Sequence, residues 1–241
     1  MYAVPRTFSV CNNMSDKLNC FYSSWEELSR NFTSNDLSFL CLNARSIINK
    51  FTELKLYLSS LSVNFSFIII TETWLKSNTD VALEIDGYQS KLLYRVGVGG
   101  GIKVYYLNSI NVTVLDNFTL CNSIYESLMI KANIPGFGEI ILCCFYRIPN
   151  NSFSHFSDAL RSCLQFCESN RAFICGDFNI DLSGHDNLHS TQAYRDLMFS
   201  YGLIPQINLP THVFPSNLSF KSCLDHAWHH FPVHFPNFLQ I

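Results

Sequence analysis

Short apolar runs that end in polar residues recur along this chain, and they predict a series of β-strands. Residues 37–43 alternate between apolar and polar positions, and residues 65–71 contain the β-branched run Ile68-Ile69-Ile70. Runs of this length and composition are typical of strands rather than of helices. Runs of the same kind predict further strands at 102–106, 111–115, 128–132, 140–146 and 171–177.

Apolar residues at helical spacing predict three helices, over 47–61, 156–167 and 193–201. Gly202 follows the last of them, at a position where glycine commonly ends a helix. The predicted elements run strand-helix-strand, then several antiparallel-type strands, then strand-helix-strand. This order predicts an α/β fold in which a two-sheet β-sandwich is flanked by helices.

The character of the sequence divides the chain into three parts. Residues 1–36 are polar and rich in Ser and Asn, which predicts a flexible leader. Residues 37–230 hold the predicted elements and are expected to form one domain, with residues 231–241 as an irregular tail. No apolar run reaches the roughly 18 residues of a membrane helix. We therefore expect no signal peptide, no membrane segment and an intracellular location, nuclear or cytoplasmic.

Composition supports a large core but not a strongly basic surface. Hydrophobic residues make up 48% of the 241 residues, and the formal net charge is −3. Because phosphate affinity comes largely from Lys and Arg, this balance argues against a strong non-specific nucleic-acid binder. It leaves open an enzyme that meets DNA through one local patch and a metal ion. The ten cysteines are predicted to be reduced core thiols rather than a disulfide framework.

Five polar blocks follow apolar runs and are the candidates for chemistry: 42–43, 71–74, 145–149, 176–179 and 223–226. Each brings an oxygen ligand or a hydrogen-bond donor to a strand end, where a rigid scaffold positions functional loops. Carboxylate and amide oxygens are the ligands that Mg²⁺ prefers. Hydrolysis of a phosphodiester needs such a metal, an aligned water and stabilised charge on the phosphate oxygens.

The candidate residues have three kinds of chemistry. Carboxylates would bind the metal, amides would orient phosphate or metal-bound water, and a phenol would donate to a phosphate oxygen. Plain structural roles stay open, since Asp and Asn also favour turns and a strand Tyr also packs in cores. The carboxylates are Glu72, Asp177 and Asp225, the amides are Asn43 and Asn179, and the phenol is Tyr146.

The order and wording of these blocks resemble the endonuclease/exonuclease/phosphatase family. The sequences Thr-Glu-Thr-Trp-Leu, Gly-Gly-Gly-Ile and Phe-Tyr-Arg-Ile-Pro narrow the resemblance to the endonuclease domains of LINE-type (non-LTR) retrotransposons. The resemblance covers about residues 37–228. In those elements the enzyme nicks one strand of target DNA, and the freed 3′-hydroxyl primes reverse transcription. DNA is therefore the implied partner, and a reverse transcriptase domain is expected in a full-length element.

The resemblance also implies a role for each candidate. Glu72 would be the principal ligand of Mg²⁺ (or Mn²⁺), with Asn43 beside it. Asp177 would orient or activate the attacking water, and Asp225 would be a buried acid that supports the site. The remaining residues would contact the phosphate or the substrate, and they are Asn179, Tyr146, Arg147 and Thr211. His212 stands where such proteins usually carry Arg.

One departure from the family pattern leaves alternatives open. The family normally ends with a Ser-Asp-His strand that supplies the general base, and no such block follows Asp225. An incomplete domain with an exposed sheet edge is one expectation, and a catalytically impaired remnant is the alternative to an active nuclease. A third reading keeps the family and changes the substrate to damaged DNA or to lipid or inositol phosphates. The clustered histidines 226, 229, 230 and 234 are interpreted as an irregular segment rather than a metal site.

Overall fold

The computed structural model describes residues 8–12, 19–23, 37–61, 63–76, 83–183, 189–207, 209–214, 217–230 and 238–240. The helices in these ranges are α1 (Phe51–Ser60), α2 (Phe153–Cys167) and α3 (His189–Ser200), with 3₁₀ turns at Ile48–Lys50 and Asp116–Phe118. None of these helices is long and apolar enough to cross a membrane. The strands are β1 (Phe8–Asn12), β2 (Asn19–Ser23), β3 (Phe39–Asn43), β4 (Phe67–Thr71), β5 (Tyr88–Leu93), β6 (Ile102–Leu107), β7 (Asn111–Val114), β8 (Leu120–Cys121), β9 (Tyr125–Ile134), β10 (Gly138–Arg147), β11 (Ala172–Asp177), β12 (Ile204–Pro205), β13 (His212–Phe214), β14 (Asn217–Ser222), β15 (Asp225–His230) and β16 (Phe238–Gln240).

The strands form two large sheets and one hairpin. The first sheet has the order β2-β1-β16-β3-β4-β6-β5, with β3 and β4 parallel. The second has the order β12-β15-β11-β10-β9-β7, with β10 and β11 parallel and β8 paired to β9. Strands β13 and β14 pair only with each other in the described residues. Strand β16 also pairs in parallel with β3. The carboxyl ends of β3 and β4 lie side by side in the first sheet, and those of β10 and β11 lie side by side in the second.

The two sheets pack face to face through a shared apolar layer. Phe39 of β3 stacks on Phe67 of β4 with ring centroids 5.3 Å apart, and on Phe173 of β11 at 4.0 Å. Helix α1 covers the outer face of the first sheet, while α2 and α3 cover that of the second. These layers confirm the predicted α/β fold, a two-sheet sandwich flanked by helices.

The ends of the chain differ from the sequence expectation. Strands β1 and β2 lie in the segment predicted to be a flexible leader, and β16 lies in the predicted irregular tail. Strand β16 pairs in parallel with β3, so this edge of β3 is covered. The physical reason is that an edge strand carries unpaired backbone N–H and C=O groups, which favour pairing with any extended segment nearby. Of the clustered histidines, His234 lies outside the described residues.

The cysteines whose side chains are described are free thiols. Seven of these eight are buried, and Cys121 is exposed. Cys143 and Cys167 form a hydrogen bond between sulfur atoms 3.6 Å apart and no disulfide. Burial raises the pKa of the Cys163 thiol to about 12, which keeps it protonated. This agrees with the prediction that the cysteines act as small core residues.

We expect Phe173→Ala to lower the free energy of unfolding by about 3–5 kcal/mol, because the ring is fully buried between the sheets. The matched control is Leu56→Ala on α1, where the side chain is 68% exposed. That change should stay within about 0.5 kcal/mol. Urea unfolding measures both values, and equal effects would contradict the position of Phe173 in the shared layer.

Candidate active site

The polar strand ends of both sheets meet in one cavity of about 280 Å³. It opens at the carboxyl ends of the two parallel pairs, β3 with β4 and β10 with β11. Six of the eight residues proposed from the sequence line it, and the other two do not. The lining residues are Asn43, Glu72, Asp177, Asn179, Thr211 and Asp225 from that set, with Arg45, Pro149, His212 and Leu224.

Asn43 joins the carboxylates of the two sheets. Its Nδ2 donates to Glu72 Oε1 and to Asp177 Oδ2, both at 2.7 Å. Its Oδ1 accepts the N–H of Arg45 at 3.1 Å, which orients the amide. One neutral side chain therefore uses both amide hydrogens on two acidic groups that would otherwise repel each other.

Strained backbone is concentrated around this cavity. Glu72, Trp74 and Asn179 have φ of 50°, 56° and 48°, in the left-handed region that L-residues rarely adopt. Hydrogen bonds hold the Glu72 segment in place, from Ser46 N–H to Glu72 O at 2.9 Å and from Trp74 Nε1 to Glu72 Oε2 at 3.3 Å. Such strain persists only where the surroundings over-determine the conformation, and it is typical of functional sites.

Gly176 lets β11 approach β10 closely just before Asp177. Its φ is 135°, and a Cβ atom at this position would overlap the carbonyl oxygen of Phe145. The next turn is closed by a hydrogen bond from Asn179 N–H to Asp177 Oδ1 at 3.0 Å. The Gly-Asp-Phe-Asn block thus combines a steric requirement for glycine with an aspartate that caps its own turn.

The surroundings of Asp177 disfavour the charged form of its carboxyl group. Burial raises the pKa of its carboxyl well above the usual range, and the nearby Asp225 and Glu72 carboxylates raise it further. Hydrogen bonds from Asn179 N–H and the Asn43 amide act in the opposite direction. Since Asp177 and Asp225 are opposite partners in β11 and β15, their repulsion is built into the sheet.

The expectation that Asp225 is buried is wrong. It is half-buried and lines the cavity, because β15 begins at this residue and its side chain lies at the end of the strand. His226, one position further, has its side chain on the opposite face of the strand and is fully buried. Asp225 is thus a direct member of the acidic cluster.

The donor set suits a hard divalent cation. Across the described residues, no group of three or more His, Cys, Asp or Glu side chains is arranged to enclose a metal ion. Mg²⁺ does not need such a cage, because it commonly binds one or two carboxylates and keeps several waters. Glu72, Asp177 and Asp225 bring three carboxylates to one small cavity whose mutual repulsion a cation would relieve. The residues present therefore fit Mg²⁺ or Mn²⁺.

The structure places Tyr146 and Arg147 outside the cavity lining. Tyr146 is buried, and burial together with the Glu72 and Asp177 carboxylates raises the pKa of its phenol. Arg147 is also buried, and its Nη1 donates to Asn179 O at 3.1 Å while Nη2 donates to Asn151 O. Arg147 therefore ties the loop that carries Asn179 to the end of β10. This contact is structural, whereas the sequence suggested contact with substrate.

Two supports of the site are side-chain oxygens that accept backbone N–H groups. Thr211 Oγ1 accepts from Leu224 and Asp225, each at 3.1 Å. Asp181, which the sequence interpretation missed, accepts from Ser183 N–H at 2.9 Å and Cys223 N–H at 2.8 Å through Oδ1. The available signal was a second aspartate two residues after the Gly-Asp-Phe-Asn block. Both residues fix the loop before β15.

His226 belongs to a buried hydrogen-bond chain. Its Nε2 donates to Cys223 O at 3.0 Å, since a carbonyl only accepts, and its Nδ1 then accepts the Tyr194 hydroxyl at 3.0 Å. That hydroxyl accepts Trp228 Nε1–H at 2.9 Å. Burial lowers the pKa of His226 to about 4. His226 therefore supports the segment that carries Asp225 and does not reach the cavity.

The similarity of this chain to known proteins lies in its structure. The sequence matches no family model, and it matches no curated protein. The endonuclease domain of TRAS1, a telomere-specific non-LTR retrotransposon, superposes with a TM-score of 0.60 at 11% identity, over 79% of this chain and 83% of that one. An AP endonuclease from Leishmania major gives 0.63 at 12% identity, over 86% of each chain.

A third similar structure carries the family name. It is an endonuclease/exonuclease/phosphatase family protein from Leptotrichia buccalis, with a TM-score of 0.57 at 16% identity over 81% of this chain and 88% of that one. The chain has the endonuclease/exonuclease/phosphatase fold. The fold that the motif resemblance implied is thereby confirmed. Within this fold, the cavity described above is lined by Asn43, Glu72, Asp177, Asn179 and Asp225 from the sequence motifs.

We expect Thr211→Val to lower the free energy of unfolding by about 1–3 kcal/mol, because it leaves two backbone N–H groups without their acceptor. Thr211→Ser keeps the hydroxyl and should recover most of that loss. Urea unfolding of both variants tests the support role. A Val variant as stable as the parent would contradict it.

Stability should fall as the pH is lowered from about 6.5 toward about 4. The folded pKa of His226 is about 4 against 6.5 for the free side chain, so the unfolded chain binds the proton first in this window. The contribution is complete above pH 6.5 and is lost below it. The measurement is urea unfolding from pH 7.5 to 5, compared with His226→Phe, which should reduce the slope. Part of the slope should remain, because burial also lowers the pKa of His229 to about 4.

Proposed function

We propose that this chain is a Mg²⁺-dependent phosphodiester hydrolase that nicks DNA, as the endonuclease of a non-LTR retrotransposon does. One observation carries the proposal. The Asn43 amide holds Glu72 and Asp177 at 2.7 Å each, at the edge of a cavity that Asp225 also lines. A cluster of carboxylates bridged by an amide suits a hard cation and an anionic substrate, and it has little use as a structural element.

Each residue of the cluster has a proposed task. Glu72 is the principal metal ligand, and Asn43 keeps its carboxylate turned toward the cavity. Asp177 orients the attacking water and accepts its proton, since burial and neighbouring carboxylates give it a raised pKa suited to a base. The bound cation would supply charge stabilisation at the phosphate oxygens.

Two further residues serve the phosphate. Asn179 uses one amide hydrogen on Arg147 O at 2.7 Å, and its second hydrogen is proposed to bind a phosphate oxygen. Tyr146 stays protonated because its pKa is raised, which suits a hydrogen-bond donor to the same group. Its position in β10 opposite Asp177 in β11 supports this role.

DNA is the proposed substrate on two grounds. The similar structures include an endonuclease domain of a retrotransposon and an AP endonuclease. The chain also carries the motif sequences Thr-Glu-Thr-Trp-Leu and Phe-Tyr-Arg-Ile-Pro at the cavity rim and in β10. Because the formal net charge is −3, binding is expected to depend on the cation and on local contacts rather than on a basic surface.

A second candidate is a protein of the same fold that binds cation and DNA but turns over slowly. The observation that favours it is the position of His226, which directly follows Asp225 but is used in the buried chain with Tyr194 and Cys223. His226 therefore cannot supply the proton transfer that a cavity histidine would. General-base help is worth roughly 10²–10⁴-fold, so its loss predicts slow nicking.

The test is conversion of supercoiled plasmid to the nicked form in Mg²⁺. We expect nicking that EDTA abolishes and that Asp177→Asn reduces by roughly 10²-fold or more. Asp158→Asn, an exposed aspartate on α2, is the matched control and should keep full activity. Folded protein without nicking in Mg²⁺ or Mn²⁺ would overturn the endonuclease proposal. Phosphate release from inositol phosphates in the same samples would instead assign a phosphoesterase.

A further inference from the structure

Glu126 is a buried carboxylate that the proposed chemistry does not use. It lies in β9 opposite Tyr146 of β10 and is fully excluded from solvent. Its Oε2 accepts the N–H of Gly101 at 2.6 Å, and its Oε1 lies 3.6 Å from Arg95 Nε. Burial raises the pKa of Glu126, and a carboxylate in this environment is costly unless its partners repay the lost hydration.

The glycines next to Glu126 fit tightly between two side chains. Gly99, Gly100 and Gly101 all have positive φ, of 75°, 68° and 89°. A Cβ atom on Gly100 would overlap Glu126 Oε1, and one on Gly101 would overlap Thr73 Oγ1. The glycine segment is therefore clamped, with Glu126 on one side and the Thr73 segment on the other.

The clamped segment in turn holds the backbone beside Glu72. Thr73 N–H donates to Gly101 O at 3.2 Å, and Trp74 N–H donates to Gly100 O at 2.8 Å. Thr73 and Trp74 are the two residues after Glu72, and Trp74 Nε1 also donates to the Glu72 carboxylate. The contacts run without a gap from Glu126 through the glycines to the residue proposed as metal ligand.

We propose that Glu126 is a positioning residue for the cation site: through Gly100 and Gly101 it fixes Glu72 in the left-handed conformation that presents its carboxylate to the cavity. The inference rests on the proposed function, since it gives Glu126 a task only if Glu72 binds the cation. Arg95 shares the task by balancing the buried charge. Glu126 itself does not line the cavity.

The experiment compares Glu126→Leu with Glu126→Gln in the full chain. Leu removes the acceptor of the Gly101 N–H, whereas Gln keeps an oxygen at that place. We expect Leu to raise the Kd for Mn²⁺ by roughly 10–100-fold, the loss that is typical when the support of a metal ligand is removed. Gln should raise the Kd much less. The Kd is measured without substrate, from the electron paramagnetic resonance signal of free Mn²⁺.

A general loss of stability must be separated from loss of positioning. The matched control is Leu160→Ala, a buried residue of α2 in the core on the outer face of the second sheet. This change should lower the free energy of unfolding by about 2–5 kcal/mol. It should leave the Kd unchanged. If Glu126→Leu does not fold, Glu126→Asp replaces it, because the shorter side chain withdraws the acceptor from Gly101. Amide hydrogen exchange should then rise at residues 72–76 and 99–101 in the variant alone.

The outcomes distinguish this inference from the proposed function. If the parent protein binds Mn²⁺ and nicks DNA, but the Leu or Asp variant binds Mn²⁺ equally well, the positioning role is overturned and the endonuclease proposal stands. A parent protein that is folded but binds no Mn²⁺ overturns both. An equal rise of the Kd in Leu160→Ala would show a stability effect and would also overturn the positioning role.

Discussion

The bridge from the Asn43 amide to Glu72 and Asp177 is the interaction on which the site depends. It links the last residue of β3 in the first sheet to the last residue of β11 in the second, 134 positions later in the chain. Without it, two acidic groups beside a third would separate or take up protons. The sandwich holds the acidic strand ends together, because the stacked rings of Phe39 and Phe173 pack β3 against β11 beneath the bridge.

Strain and charge are concentrated at the same end of the sandwich. The positive φ angles of Glu72 and Asn179 store conformational energy that hydrogen bonds from neighbouring segments balance. Burial and neighbouring carboxylates, which raise the pKa of Asp177, add an unfavourable electrostatic contribution at the same place. A fold selected for stability alone would place hydrophobic residues here. This concentration is what supports a function in cation and phosphate chemistry, with the remaining core serving as its rigid frame.

Prediction from the sequence succeeded where one residue type had one physical reason to be present. The run Ile68 to Ile70 forms the buried strand that its length and β-branching predicted. Prediction was less successful for long polar side chains. Arg147 suggested substrate contact, but its guanidinium is used on two backbone carbonyls, and the carboxylate of Glu126 gave no signal because a glutamate in a strand usually faces solvent.

The sequence by itself determined the fold class and the set of motif residues, because hydrophobic periodicity and the polar blocks at strand ends are patterns over a few neighbouring positions. Tertiary structure alone decided which polar residues face the cavity, which support it, and which strand covers the edge of β3. Those choices depend on contacts between segments far apart in the chain, such as Thr211 with Asp225 and Glu126 with Gly101. Their energies come from burial and hydrogen bonding that exist only once both sheets are packed.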